Sequence, residues 1–258
     1  MSISVAVVGA TGRMGKLALE LIDAAQDLRL HAALDSKSEL AQVLGADVVF
    51  DVTRFDVSES VVAFCVSHGL KVVVGTSGWS ASKLAGIESK LVAATIAGQT
   101  AGASAPAVLV IPNFSIGSML ASKFAAEAAT FFNSIEIVEV HHAGKIDSPS
   151  GTSVRTAEMI AHARADAGLT QPLVPGVGQS ARGQIAAGVP IHSMRLSGVS
   201  AKQDVFFGGE SELLTLSHET TSVRAYEAGI LLSLRAAAKA VGLTVGLQAV
   251  VEASKNRV

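Results

Sequence analysis

Only one cysteine, one tryptophan and one tyrosine occur in 258 residues, and aromatic residues make up just 4% of the chain. A single thiol cannot close an intrachain disulfide and fits a reducing compartment, so a cytoplasmic protein is expected. Cys65 lies in the apolar run Val61-Val62-Ala63-Phe64-Cys65-Val66, the setting of a buried thiol rather than a nucleophile. Charge is also sparse: 16% of residues are charged and the net charge is −2, which leaves no basic surface for nucleic acid or acidic membrane. The beginning of the chain has no basic stretch and its apolar run ends at Gly9, so no signal peptide is read there. Later apolar stretches are short or broken by charge, as Arg235 and Lys239 break the last, so no segment is expected to span a membrane. No metal ligand set is assigned.

What the chain has is small apolar bulk, 49% hydrophobic and rich in Ala, Val, Leu and Gly, which suits closely packed α/β layers in two domains. Ile3 to Val8 reads as a strand buried on both faces of a parallel sheet. Gly9-Ala10-Thr11-Gly12-Arg13-Met14-Gly15 follows, then a helical pattern through Ala25. Strand, glycine turn and helix form the setting of a dinucleotide fingerprint, although the spacing G-x-x-G-x-x-G would also suit a plain tight turn. The next strand, Leu28 to Leu34, favours the nucleotide. It ends in Asp35, twenty positions after Gly15, where an acid can accept hydrogen bonds from a ribose.

The rhythm continues with strands at Val48–Asp51, Lys71–Val74 and Ala107–Ile111, and with helices at about Val57–His68, Ala81–Val92 and Gly117–Phe132. Thr53, Gly75-Thr76-Ser77 and Pro112-Asn113-Phe114 stand just past strand ends, where open parallel sheets collect ligands. The domain crossing is placed at Asn113-Phe114. Beyond it, a tract from Gly168 to Pro190 carrying Pro172, Pro175, Gly176, Gly178, Gly183 and Gly188 reads as a long functional or interfacial loop. Short strands at Ile191–Leu196, Lys202–Phe207 and Leu213–His218 suggest an antiparallel or mixed sheet, and Tyr226–Val241 returns to helix.

Residues 139 to 152, Glu-Val-His-His-Ala-Gly-Lys-Ile-Asp-Ser-Pro-Ser-Gly-Thr, hold the densest chemistry in the chain. The β-branched run Ile135 to Val140 delivers His141 and His142 at a strand end, where successive side chains face opposite ways and so take different jobs. Gly144 permits a bend that lets the Lys145 ammonium curl back toward the imidazoles. A helix from Ser153 to about Ala167 then presents its first amides to an anion. Each feature alone could be an ordinary turn or cap. Two imidazoles, an ammonium and an anion site within fourteen residues favour a catalytic or ligand site.

This string resembles the dihydrodipicolinate reductase signature E-x-H-H-x-x-K-x-D-x-P-S-G-T and matches it at every specified position. The similarity extends over nearly the whole chain, with two departures: Ser77 stands where a threonine is expected and Trp79 where a phenylalanine is usual. The resemblance implies an α/β protein with two parts. One is a Rossmann-like dinucleotide-binding domain with a parallel sheet, residues 1–113 and 227–258. The other, residues 114–226, is an α+β substrate-binding and oligomerisation domain with a mixed open sheet, assembled into a homotetramer. It also implies NADH- or NADPH-dependent reduction of dihydrodipicolinate, formed from 4-hydroxy-tetrahydrodipicolinate, to tetrahydrodipicolinate on the diaminopimelate route to lysine. By that resemblance His141 donates the proton and Lys145 is the second catalytic residue. His142, Gly151 and Thr152 would contact the small dicarboxylate, while Asp147 orients the loop. The cofactor would lie on Gly9, Ala10, Thr11, Gly12, Arg13, Met14, Asp35, Thr53, Gly75, Thr76, Ser77, Ile111, Pro112, Asn113 and Phe114.

Two rivals are weaker. A semialdehyde dehydrogenase would need a nucleophilic cysteine, and Cys65 sits in the wrong setting. A nucleotide-sensing module would have no reason to keep His141, Lys145 and the anion-binding turn together. Between cofactors, Asp35 favours the ribose hydroxyls of NADH, while Arg13 and Lys37 could reach a 2′-phosphate. Dual use with a modest lean to NADH is expected.

Overall fold

A computed structural model describes residues 2–101, 105–172, 174 and 178–255. Pro175 and Gly176 of the long tract lie outside the described residues, as do residues 256–258. In chain order the elements begin β1 (Ile3–Val8), α1 (Arg13–Ala24), β2 (Leu28–Leu34), β3 (Val48–Asp51), α2 (Phe55–Ser67), β4 (Lys71–Val74), α3 (Ala81–Ala101) and β5 (Ala107–Val110). They continue α4 (Ile116–Ala128), β6 (Ser134–His142), α5 (Gly151–Asp166), β7 (Gln184–Ala186), β8 (Val189–Leu196), β9 (Ala201–Gly208) and β10 (Leu213–Thr220). The described chain closes with α6 (Glu227–Ala237), β11 (Gly242–Val245) and α7 (Leu247–Lys255). It divides into two units, Met1–Phe114 with Tyr226–Val258, and Ser115–Ala225.

The first unit is a six-stranded sheet in the order β11-β5-β4-β3-β1-β2, parallel throughout. Its central strands are apolar on both sides because helices cover both faces, and Val5, Ala6, Val7, Val48, Val49, Val72, Val73 and Val108 are fully buried. The chain steps from β1 outward to β2, then back across to β3. The reversal opens a crevice beyond the carboxyl ends of β1 and β3, the place where such sheets take ligands.

The second unit is a mixed five-stranded sheet, β10-β9-β6-β8-β7, in which only the β6–β8 pair is parallel among the described strands. Ile135 and Ile137 of β6, Ile191 of β8, and Val205 and Phe207 of β9 pack on Ala125 and Ala129 at the end of α4 and on Ala157 and Ile160 of α5. Strand alternation turns Val138, Met194, Leu196 and Leu213 to the other face, where Met194 and Leu196 are each 44% exposed and Leu213 67%.

Four expectations are corrected. The helix expected to end near Val92 runs to Ala101, since Ala93, Ala94, Ala97 and Ala101 are strong helix formers with no proline among them. The helix ending expected at Phe132 stops at Ala128. The tract from Gly168 to Pro190 is not a bare loop: β7 folds back on β8, through a turn at Ala187 and Gly188 with φ of 47° and 81°. Finally, β11 and α7 went unread. Gly242 and Gly246, both at positive φ, bracket a strand of only four residues, too short for periodicity to register.

Candidate active site

The glycine turn is shaped by what a side chain would strike. Gly9 has φ of +89°, and a Cβ there would lie 3.0 Å from the Val52 carbonyl oxygen, so β1 and the β3 end approach through bare backbone. At Gly15 a Cβ would fall 2.2 Å from the Gly9 oxygen, which only glycine tolerates. Gly12 caps α1 and has no side chain to satisfy its first amides, so the helix start suits a phosphate. Thr11, Gly12 and Arg13 are exposed around it, whereas Ala10 is buried and Met14 half-buried. These residues fit a dinucleotide.

The other residues expected at the cofactor gather at neighbouring strand ends of the same unit. Asp35 is exposed at the end of β2, its Oδ1 accepting from the Lys37 amide and the Ser38 hydroxyl, both at 2.9 Å. Those bonds hold its carboxyl below the usual range. The Thr76 hydroxyl donates to the Thr53 carbonyl at 2.7 Å, and Ser77 is exposed beside it. Thr53 is itself fixed by Asp51, which accepts from its amide at 3.0 Å and its hydroxyl at 2.6 Å, and also from the Ser58 hydroxyl. Asp51 is fully buried, and burial pushes its carboxyl up despite these bonds. It escaped the sequence reading, although an acid closing the apolar strand Val-Val-Phe-Asp was a visible signal. Ile111 and Phe114 are buried, the Phe114 ring lying against Phe50 and Gly75, so a ligand can reach them mainly through backbone. Pro112 is exposed and Asn113 half-buried between them.

In the second unit β6 carries Glu139 and His141 on one face, two residues apart, and His142 on the other. His141 Nδ1 lies 2.6 Å from Glu139 Oε2 and its side chain is only 17% exposed, while His142 is exposed. Glu139 is fully buried but not orphaned. Arg195 of β8, directly opposite His141 across the parallel pair, binds both its oxygens at 2.9 Å, and the Ser150 amide reaches Oε1 at 3.2 Å. Burial raises the Glu139 carboxyl, but Arg195, Ser193 and His141 together hold it below its ordinary value. Burial lowers His141, Glu139 raises it, and the Lys145 and Arg195 charges lower it again; the net direction is down.

Lys145 is near enough for its charge to act on the His141 imidazole. Its ammonium also binds both oxygens of Asp147 at 2.7 Å, a carboxylate two residues on being a near and strong acceptor. Burial raises Asp147 while the Lys145 bond lowers it, and the net is down. The loop then turns through a cis Ser148–Pro149 peptide into α5, which starts at Gly151, two residues earlier than expected. Ser150 caps it, its hydroxyl accepting from the Ser153 amide at 3.2 Å. Nothing lies within 4 Å of where a Gly151 Cβ would sit, so the helix start stands open beside Thr152. No cluster of histidine, cysteine and carboxylate side chains that could hold a metal occurs among the described residues.

Sequence models described as "Dihydrodipicolinate reductase, N-terminus" and "Dihydrodipicolinate reductase, C-terminus" match residues 3–100 and 117–251. The chain belongs to the dihydrodipicolinate reductase family. It is 51% identical over 257 residues to a 4-hydroxy-tetrahydrodipicolinate reductase of Clavibacter sepedonicus, covering 100% of this chain and 89% of that one. A reductase of the same name from Streptomyces griseus is 42% identical over 248 residues, covering 95% and 96%. Among solved structures, a dipicolinate-bound dihydrodipicolinate reductase from Paenisporosarcina sp. TG-14 superposes with a TM-score of 0.76 at 30% identity, covering 96% of this chain and 99% of that one. A myo-inositol 2-dehydrogenase from Lactobacillus plantarum shares the fold alone, with a TM-score of 0.59 at 11% identity over 99% and 95% of the two chains.

Proposed function

We propose that this member of the family reduces dihydrodipicolinate, a cyclic imine dicarboxylate, to tetrahydrodipicolinate. The observation that carries the reading is His141, paired through Nδ1 to a buried carboxylate, on the strand that leads into the Lys145 loop and the open start of α5. A reduced nicotinamide, when bound, supplies the hydride. The Gly9–Gly15 turn would hold its pyrophosphate, Asp35 its ribose, and Thr53, Gly75, Thr76, Ser77 and residues 111–114 its nicotinamide half.

With Nδ1 committed to Glu139, His141 keeps Nε2 as the nitrogen that delivers a proton to the ring carbon next to the one reduced. The Lys145 ammonium stabilises the negative charge that builds on the ring before that proton arrives. Its bond to Asp147 is exposed, so a substrate carboxylate competes for it readily. Gly151 and Thr152 offer first-turn donors to a carboxylate, and His142 is a further contact. A dicarboxylate substrate is supported by the dipicolinate held by the Paenisporosarcina relative. Both nucleotides are used, with a modest lean to NADH.

The second unit's open sheet face, with Met194, Leu196 and Leu213 exposed on it, supports a homotetramer built through that sheet. A cytoplasmic place fits one buried cysteine and described helices none of which is long and apolar enough to cross a membrane. Nicotinamide oxidation in the presence of the condensation product of pyruvate and aspartate semialdehyde tests the reading. Turnover with that substrate, and none with a semialdehyde alone, is the expected result; no turnover with either nucleotide would overturn it.

A further inference from the structure

We infer that Arg195 is a positioning residue that ties the proton donor and the cationic loop into one rigid unit. The inference rests on the reading of His141 as the acid and names what sets its geometry. Arg195 lies on β8, far along the sequence from the histidines, and the parallel register sets it opposite His141.

All five N–H groups of its guanidinium are engaged. Nη1 and Nη2 each take one oxygen of Glu139 at 2.9 Å, the two-pronged geometry that a guanidinium matches and an ammonium does not. Nε donates to the Lys145 carbonyl at 3.2 Å and Nη2 to the Asp147 carbonyl at 2.6 Å, so the carbonyls of the two residues that flank Ile146 hang from the same side chain. The fifth bond, from Nη1 to the Met194 carbonyl at 2.7 Å, anchors the group to its own strand.

The consequence lies in which nitrogen of His141 carries the proton. Glu139, held ionised by Arg195, can only accept, so neutral His141 must keep its proton on Nδ1 and leave Nε2 outward. Imidazolium then donates from Nε2 and returns to the same tautomer without rotating. The charged groups around the ring are Glu139 on its own strand, Arg195 on β8 and Lys145 in the loop, with Asp147 paired to Lys145; β9 contributes the uncharged Ala201 opposite. An arginine that merely braced the sheet would leave the tautomer and the pH profile alone when replaced.

The test uses the full-length protein, with ¹⁵N-labelled histidine spectra and pH profiles of kcat/KM for wild type, Arg195→Lys and Glu139→Gln. Wild type should show the Nδ1–H tautomer of neutral His141. Arg195→Lys should lose it in part and lower kcat by roughly tenfold to a hundredfold, as expected for misplacement of a reacting group, with nucleotide affinity unchanged. Glu139→Gln, whose amide can donate to Nδ1, should switch neutral His141 to Nε2–H and move the alkaline limb of the profile to lower pH. If Arg195→Lys fails to fold, Arg195→Met, which keeps the apolar stem and removes the guanidinium, takes its place in the same spectra and profiles, and a wild-type tautomer and limb there would overturn the inference equally. A folded Arg195→Lys protein with the wild-type tautomer and limb would overturn the inference, whatever its kcat. The spectra need no turnover, so an inactive wild type would refute the proposed reaction without touching the tautomer result.

Discussion

His141 and Glu139 stand two residues apart on one strand with 2.6 Å between Nδ1 and Oε2, and the carboxylate of that pair is wholly buried. An imidazole in such a place feels two opposed influences. Desolvation weakens its hold on a proton and the carboxylate strengthens it; here desolvation, aided by the Lys145 and Arg195 charges, wins.

The sign of the pH dependence follows. A general acid must be protonated, so kcat/KM should be full on the acid side of the His141 pKa and fall as pH rises through it. Because that pKa lies below its ordinary value of 6.5, the fall should begin on the acid side of neutrality in the free enzyme. A kcat/KM profile flat from pH 5 to 8, with substrate consumption verified, would contradict this.

For the glycine turn, Gly15→Ala places a methyl group 2.2 Å from the Gly9 carbonyl oxygen. Over-packing of this kind costs about 1–3 kcal/mol and here displaces the nucleotide turn itself, so nucleotide affinity should drop about tenfold or more. Gly86→Ala on α3 is the control, since nothing lies within 4 Å of its added methyl; it should raise stability by about 0.5–1 kcal/mol. Calorimetric titration and thermal melts read both.

Cofactor choice turns on exposed charges. Asp35 is exposed with its carboxyl held below the usual range, and in the proposed reading a 2′-phosphate would meet it; Lys37, two residues on, and Arg13 of the glycine turn are exposed too. Lys37→Ala should raise the KM for NADPH about fivefold and leave NADH unaffected, the scale of one screened surface contact. Equal effects on both nucleotides would place Lys37 away from the phosphate.

Stability of the second unit should hinge on Arg164. Only 2% exposed, it donates to the Ala129 and Phe132 carbonyls at 2.6 and 2.5 Å, to Thr170 at 2.9 Å and to Asn133 at 3.2 Å, tying the chain beyond α4 to that beyond α5. Arg164→Met strands several buried carbonyls and should destabilise by about 3 kcal/mol in denaturant titration. A loss under about 0.5 kcal/mol would mean that water replaces the guanidinium.

Local patterns in the sequence carried β1 to β5, the glycine turn and the strand that bears the histidines, because each is written in neighbouring residues: continuous valines for strands covered on both faces, alternation for β6. The role of Glu139 was within reach, since a period of two puts it on the His141 side. Arg195 was not. Its strand was read, but nothing in one strand tells which other strand lies beside it, and the parallel pairing of β6 with β8 is a tertiary fact. The pairing of Lys145 with Asp147 was out of reach for a similar reason: the bend at Gly144 was legible, but the ammonium's carboxylate partner depends on loop geometry that spacing does not encode.

The most direct test of the central claim is kcat for His141→Gln, measured at saturating substrate in protein whose nucleotide affinity has been verified. Removing a general acid typically costs about 10²–10⁴-fold, so kcat should fall by at least about a hundredfold while nucleotide binding is unchanged. A variant that turns over at near the wild-type rate would show that the proton comes from elsewhere.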